Sequence, residues 1–209
     1  MKNSAVFLRA VLAGMMVGVG GTVFLSVNNQ FVGSFLFALG LFAICQLGLW
    51  LYTGKIGYAY KGDAKYPAQL LCTWLGNFVG TASVGILMRM TRIGAAISEK
   101  AMTMCSVKAS DGLWSVFVLS LFCGVLMALA VENYGRNPRS FAGIFGLILC
   151  VMVFILCSFE HCIANMFYFT VANVWSLSAV VRLLVMTVGN SIGGIAFLWL
   201  EQKTSAQSV

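Results

Sequence analysis

The only histidine of the chain, His161, follows Glu160 inside one of its most apolar stretches. Imidazole is the one side chain whose ordinary titration lies near neutrality, so it can donate a hydrogen bond to a small oxyanion or pass it a proton. Glu160 is an ionisable group where charge is expensive, and such groups face a partner or a water-filled path. Consecutive side chains on a helix point about 100° apart, so Glu160 is expected to brace the backbone or a neighbouring polar group. One histidine, no HExxH motif and no paired intramembrane aspartates leave little from which to build a membrane enzyme. Haem held by two histidines is excluded by the count of one. The seven cysteines show no CxxC or metal-ligand spacing and read as small packed hydrophobes. No metal or cofactor is expected.

Two further groups of residues stand out. Leu49-Trp50-Leu51-Tyr52-Thr53-Gly54-Lys55 ends an apolar run; Gly54 can break a helix there, and Thr53 can satisfy the freed backbone groups. Asn77 and Asn190 are amides in otherwise apolar helices and are expected to find partners inside the protein.

The elements that must hold these residues are membrane spans. Sixty per cent of the 209 residues are hydrophobic and 9% charged, which leaves too little polar surface for a soluble domain. Apolar runs cover Ala10–Val27, Phe31–Tyr52, Ala68–Met88, Leu113–Val131, Phe141–Phe159 and Leu183–Leu200, each about the 17–25 residues that cross a bilayer as a helix. The first run follows Lys2 and Arg9 without a small-residue cleavage site and reads as a retained helix. Cys162–Val174 continues the fifth run, and the whole of Phe141–Val174 is too long for one straight span. An interruption near Phe159–His161 is therefore predicted, and a second at Thr53–Gly54.

The net charge of +7 comes from scattered Lys and Arg, which argues for topology and against nucleic acid. With Met1 in the cytoplasm, the inner segments carry Lys2, Arg9, Lys55, Lys61, Lys65, Arg136, Arg139 and Lys203; the outer ones carry Arg89, Arg92, Lys100, Lys108 and Arg182. That balance favours both termini inside a cytoplasmic (inner) membrane. Most of the outer charge sits in a predicted loop, Arg89–Lys108, where it favours an approaching anion.

Gly76-Asn77-Phe78-Val79-Gly80 in the third run recurs as Gly189-Asn190-Ser191-Ile192-Gly193 in the sixth, and Gly14 in the first is matched by Gly124 in the fourth. Three helices followed by three related ones place the halves, about 1–90 and 110–209, in opposite orientations within one domain spanning 1–209. Thr53 and His161 lie 108 residues apart, close to the repeat. Interruptions at corresponding places in two halves point to a binding site at the midplane. Gly-x-x-x-Gly pairs such as Gly14/Gly18 permit close helix contact.

At these residues the chain resembles the formate/nitrite transporter family of pentameric channels for small monovalent anions, whose protomer is aquaporin-like. The resemblance is carried by Phe159-Glu160-His161-Cys162-Ile163-Ala164-Asn165-Met166-Phe167, by Leu51-Tyr52-Thr53-Gly54 and by Thr187-Val188-Gly189-Asn190-Ser191-Ile192-Gly193-Gly194, and it extends over six helices in order. It implies a homopentamer in the lipid bilayer, with Thr53 and His161 facing each other in a central chamber. It implies apolar constrictions at Phe37, Leu41, Leu51 and Phe154, a vestibule lysine at Lys108, and Asn165 on the substrate pathway. The chain departs from the family pattern at Gly124, where many members carry asparagine near the chamber, and at Lys55, where many carry asparagine.

Moving a bare anion into an apolar constriction costs on the order of tens of kcal/mol in the Born limit. Protonating an acid of pKa about 4 at pH 7 costs about 4 kcal/mol. The cheaper route is passage of formate, nitrite or a similar anion largely as its neutral acid, with His161 polarising it or supplying the proton. The alternative reading is a membrane interaction subunit that transports nothing.

Overall fold

The computed structural model describes residues 2–205, and all regular structure among them is helical. Met1 and residues 206–209, included in the predicted domain and in the assignment of the N-terminus, lie outside the described residues. Four helices combine the length and apolarity needed to cross a membrane: α1 (Asn3–Ser26), α4 (Tyr66–Arg89), α6 (Leu113–Arg136) and α9 (Leu177–Ser205). Pro67 stands in the first turn of α4, where a missing N–H costs nothing.

The second and fifth apolar runs are divided. The second gives α2 (Gln30–Gln46), then a break, then the single turn α3 (Tyr52–Lys55), which continues as a 3₁₀ turn over Ile56–Lys61. The fifth gives α7 (Phe141–Leu156), a break, and α8 (Cys162–Ala172). Side chains fix where α2 and α7 start. Asn29 Oδ1 accepts the Phe31 and Val32 N–H groups at 2.9 and 3.1 Å, and Ser140 Oγ accepts that of Gly143 at 3.0 Å, satisfying donors that a first turn leaves unpaired.

Two expectations need correction. The first interruption lies at Leu47–Leu51, ahead of Thr53–Gly54, and both of those residues are helical. The chain turns at Gly48, with φ of +63°, a conformation that glycine adopts without steric cost. The predicted loop Arg89–Lys108 is mostly helix α5 (Gly94–Ser110), which buries Ile97, Ala101 and Cys105 and carries Lys108 in its last turn.

The closest packing is between α1 and α4 and between α6 and α9, and in each pair glycine brings backbones into contact. A Cβ on Gly14 would collide with the Asn77 backbone, and one on Gly124 with the Asn190 backbone. No asparagine fits at position 124 in this packing, which accounts sterically for the departure noted there. A single apolar cluster runs through the bundle and includes Phe37, Leu41, Leu51, Phe154, Ile163 and Phe167. Outer faces are apolar too, with Leu8, Phe31, Leu71, Phe141 and Leu184 all exposed. That pattern suits a lipid or a second apolar surface as solvent. At one end of the bundle Arg136 bridges Glu132 and Glu201 at 2.8 and 2.7 Å.

Candidate functional site

The two breaks share one backbone design. In the first, Leu49 N–H donates to the Ile44 carbonyl at 2.9 Å, Gly48 N–H to Cys45 at 3.3 Å and Trp50 N–H to Arg9 at 3.5 Å. The second repeats each bond 110 residues on: Phe159 to Phe154 at 2.9 Å, Ser158 to Ile155 at 3.1 Å and Glu160 to Leu119 at 3.4 Å. Ser158 repeats the turn of Gly48, with φ of +55°. Asn77 Oδ1 accepts the Tyr52 N–H at 2.8 Å while its Nδ2 donates to the carbonyls of Ala10 and Trp50 at 2.8 and 2.9 Å. Asn190 does the same for Cys162 N–H at 2.9 Å and for Ser120 and Glu160 carbonyls at 2.7 and 2.8 Å. Each buried amide thus satisfies backbone groups that a broken helix would leave unpaired in lipid.

This register gives His161 a different counterpart from the one expected. At an offset of 110 it corresponds to Leu51, and Thr53 corresponds to Ile163. Thr53 and His161 nevertheless meet: Thr53 Oγ1 lies 2.9 Å from His161 Nε2, both residues being buried. His161 Nδ1 accepts the Ala164 N–H at 3.0 Å as the N-cap of α8. Its lone pair is committed there, so the ring proton sits on Nε2 and is donated to Thr53. The Thr53 hydroxyl keeps its own proton free for another acceptor.

Around this pair the predicted constriction residues are all buried. The Phe154 ring stacks on the His161 imidazole with centroids 5.7 Å apart, and Phe37 meets Phe154 edge-on at 5.9 Å. A cavity of about 160 Å³ reaches Phe154, His161, Asn165 and Lys108 from one side. A second, of about 130 Å³, reaches Leu51, Gly54 and Lys55. Neither cavity is lined by Thr53, Phe37 or Leu41, all of which are buried.

Lys108, expected at a vestibule and within a loop, lies in the last turn of α5 and is paired. Its Nζ lies 2.6 Å from Glu160 Oε2, with 13% of the lysine side chain and 5% of the glutamate exposed. Asn165 Nδ2 donates to the same carboxylate oxygen at 2.8 Å and to the His161 carbonyl at 3.0 Å. Glu160 therefore links α5 to α8, contacts that no spacing in the sequence reveals because 52 residues separate the ion pair. Asn165 Oδ1 is buried with no protein partner, and the residue lines the first cavity.

The family model for the formate/nitrite transporter matches residues 1–201. The chain belongs to the formate/nitrite transporter family. That family comprises channels and transporters and is not one of enzymes. The formate channel FocB of Escherichia coli strain K12 is 28% identical over 78% of this chain and 64% of its own length. The chain thus spans slightly less than two thirds of that relative. The nitrite transporter NirC of Salmonella typhimurium is 25% identical over 93% of this chain and 80% of its own. Among solved structures, a pentameric formate channel with formate bound superposes with a TM-score of 0.81 at 23% identity, over 98% of both chains. The fold is that of the formate/nitrite transporter channels.

Proposed function

We propose that this member of the formate/nitrite transporter family is a channel or transporter in the inner membrane for small monovalent anions that cross largely as weak acids, formate and nitrite being the first candidates. The reading takes six crossings: α1, α2 with α3, α4, α6, α7 with α8, and α9. The second half is inverted relative to the first, both termini are cytoplasmic, and the protomers form a pentamer like that of the similar formate channel. Offsets near 110 in backbone hydrogen bonding support the repeat, and the exposed apolar faces support lipid and neighbouring protomers as surroundings.

The observation that carries the function is the buried Thr53–His161 hydrogen bond beneath the Phe154 ring, with an open cavity on each side. Phe37, Leu41, Leu51 and Phe154 offer an anion no polar partner, so the bare ion is opposed by a cost on the order of tens of kcal/mol in the idealised limit. At the Thr53–His161 pair polar groups become available. The free Thr53 hydroxyl proton suits a carboxylate or nitrite oxygen, and Asn165 Oδ1 suits the O–H of the neutral acid. His161 Nε2–H polarises the substrate through the Thr53 hydroxyl it bonds, or passes a proton along that bond that is replaced from the aqueous side so that the ring stays neutral; protonation is the smaller cost, about 4 kcal/mol for an acid of pKa about 4 at pH 7. Lys108, its charge offset by Glu160, holds the first cavity polar without trapping the ion.

Uptake of radiolabelled formate and nitrite into proteoliposomes, with and without an inward proton gradient, tests this reading. Accelerated, electroneutral uptake under the gradient is expected. If neither anion crosses an assembled protein faster than it crosses protein-free vesicles, the chain is an interaction subunit and the proposal fails.

A further inference from the structure

The two cavities differ in charge, and the difference comes from one residue. In the half that carries His161, the cation arrives on α5 as Lys108 and is met by Glu160 at 2.6 Å, so that mouth is close to neutral. In the other half, Lys55 lines the cavity with Leu51, Gly54, Cys45 and Tyr134. Its backbone position corresponds to Asn165, and Trp50 corresponds to Glu160, by the shared offset of 110. Where Asn165 bonds a carboxylate, Lys55 Nζ lies over the Trp50 ring, 5.4 Å from its centroid. Among the described residues no carboxylate pairs with Lys55; the ion pairs are Lys108–Glu160, Arg136–Glu132 and Arg136–Glu201. Glu132, on α6 as are three residues of the same cavity wall, is engaged by Arg136 and by the Tyr58 hydroxyl. A ring face attracts an ammonium group but does not cancel its charge.

We infer that Lys55 forms an anion-binding site at the Leu51 mouth, taking a small monovalent oxyanion between its ammonium group and the cavity wall and making the two mouths unequal in affinity. This rests on the proposed channel reading for its role in flux, though binding itself does not. A half-buried cation without a counter-ion has a standing preference for an anionic ligand. The cavity, about 130 Å³, has room for a species of a few heavy atoms. The neighbouring polar atoms are few: the Lys55 carbonyl already accepts from the Tyr66 hydroxyl at 2.7 Å, and the Tyr134 hydroxyl donates to Gln46 Oε1. Charge, not a shaped hydrogen-bond cage, therefore sets the affinity, so formate and nitrite bind alike and added inert salt competes.

The test has two independent readouts. Lysines of the purified full-length protein are ¹³C-dimethylated, a modification that keeps the charge, and the Lys55 resonance is assigned by its loss in Lys55→Arg. Addition of sodium formate or nitrite at constant ionic strength is expected to shift that resonance saturably. Flux is then measured from each side in right-side-out and inside-out vesicles. Lys55→Asn, which restores the amide of the opposing half, is expected to raise the half-saturating formate concentration about tenfold from the Leu51 side only, equivalent to about 1.4 kcal/mol; Lys55→Arg keeps the parent value. A Lys55 resonance that does not respond to either anion overturns the site, whether or not the substituted proteins assemble. So does an equal half-saturation for Lys55→Asn and the parent from both sides. A responding resonance in a protein that conducts neither anion retains the site and removes the channel reading instead.

Discussion

The two interruptions are the same piece of backbone carrying different chemistry. Gly48 and Ser158 turn the chain alike, Asn77 and Asn190 make the same three bonds, and the residues that follow open new helices in register. Side chains at equivalent places diverge: Leu51 against His161, Trp50 against Glu160, Lys55 against Asn165. The first interruption supplies an apolar wall and an unpaired cation; the second supplies an imidazole and a neutralised ion pair. A repeated scaffold thus fixes where helices may break, and substitutions on one copy decide what the break does.

The largest effect is expected from the shared part. Asn77→Leu and Asn190→Leu each leave one N–H and one carbonyl of a break unpaired in an apolar interior, at about 1–3 kcal/mol per group, while the Ala10 and Ser120 carbonyls keep their helical donors. Both variants should lose the assembled protein on size-exclusion chromatography in detergent, and to a similar extent. A variant that assembles like the parent in one case alone would break the equivalence of the two halves.

Next comes the chemistry that separates them. His161→Phe keeps a ring beneath Phe154 but loses the Nε2–H and the N-cap acceptor, and weak-acid uptake should fall about a hundredfold, the lower end of what proton transfer contributes. His161→Asn retains a hydrogen-bond donor but cannot exchange a proton near neutrality. Uptake lost in both variants, with assembly intact, assigns His161 to proton transfer; uptake kept in Asn alone assigns it to polarisation. Parent-like rate and pH dependence in His161→Phe would remove the residue from the mechanism. Smaller again is the effect of opening the walls: Phe154→Ala and Leu41→Ala should raise leak of larger or charged solutes severalfold in a vesicle-swelling assay, and unchanged selectivity in both would make these side chains ordinary packing.

The comparison also shows what a sequence reveals and what it hides. The runs that became α1, α4, α6 and α9 are legible because apolar length alone selects a membrane helix. The fifth break is legible because the stretch is too long for one span. The second break lies several residues ahead of Gly54: among the described residues Gly48 is the glycine with positive φ, and composition does not tell the two glycines apart. Helix α5 resembles a loop in sequence because Ser98, Glu99, Lys100 and Thr103 dilute its apolar stripe, while Ile97, Ala101 and Cys105 mark the buried face at helical spacing. The Lys108–Glu160 pair was hidden because an ion pair across 52 residues leaves no local pattern. An offset of 108 tied Thr53 to His161 in the sequence; the backbone bonds set the offset at 110 and tie His161 to Leu51.

The smallest expected effect sharpens the comparison at its hinge, where Gly48 and Ser158 hold the same left-handed backbone with different residues. A residue with a Cβ in this conformation costs roughly 1–2 kcal/mol against the ordinary helical region, whereas glycine adopts it freely. Gly48→Ser should therefore destabilise by about 1 kcal/mol, because the steric penalty exceeds the 0.4–1 kcal/mol recovered from a stiffer unfolded chain. A Cβ at Gly48 meets only the Arg9 guanidinium, at 3.6 Å, so no packing clash adds to that figure. That guanidinium donates to the Gly48 carbonyl at 3.0 Å and has no counterpart at Leu119, which makes the first turn the more firmly held of the two. Ser158→Gly relieves the same steric cost and surrenders the same unfolded-state entropy, so by the same figures it should stabilise by up to about 1 kcal/mol. Thermal midpoints in one detergent, measured for both single variants and the double, read these differences directly. If the turns are independent the effects add. Should Ser158→Gly destabilise more than Gly48→Ser, the Ser158 side chain contributes something the backbone comparison does not contain, and the two hinges are equivalent in shape only.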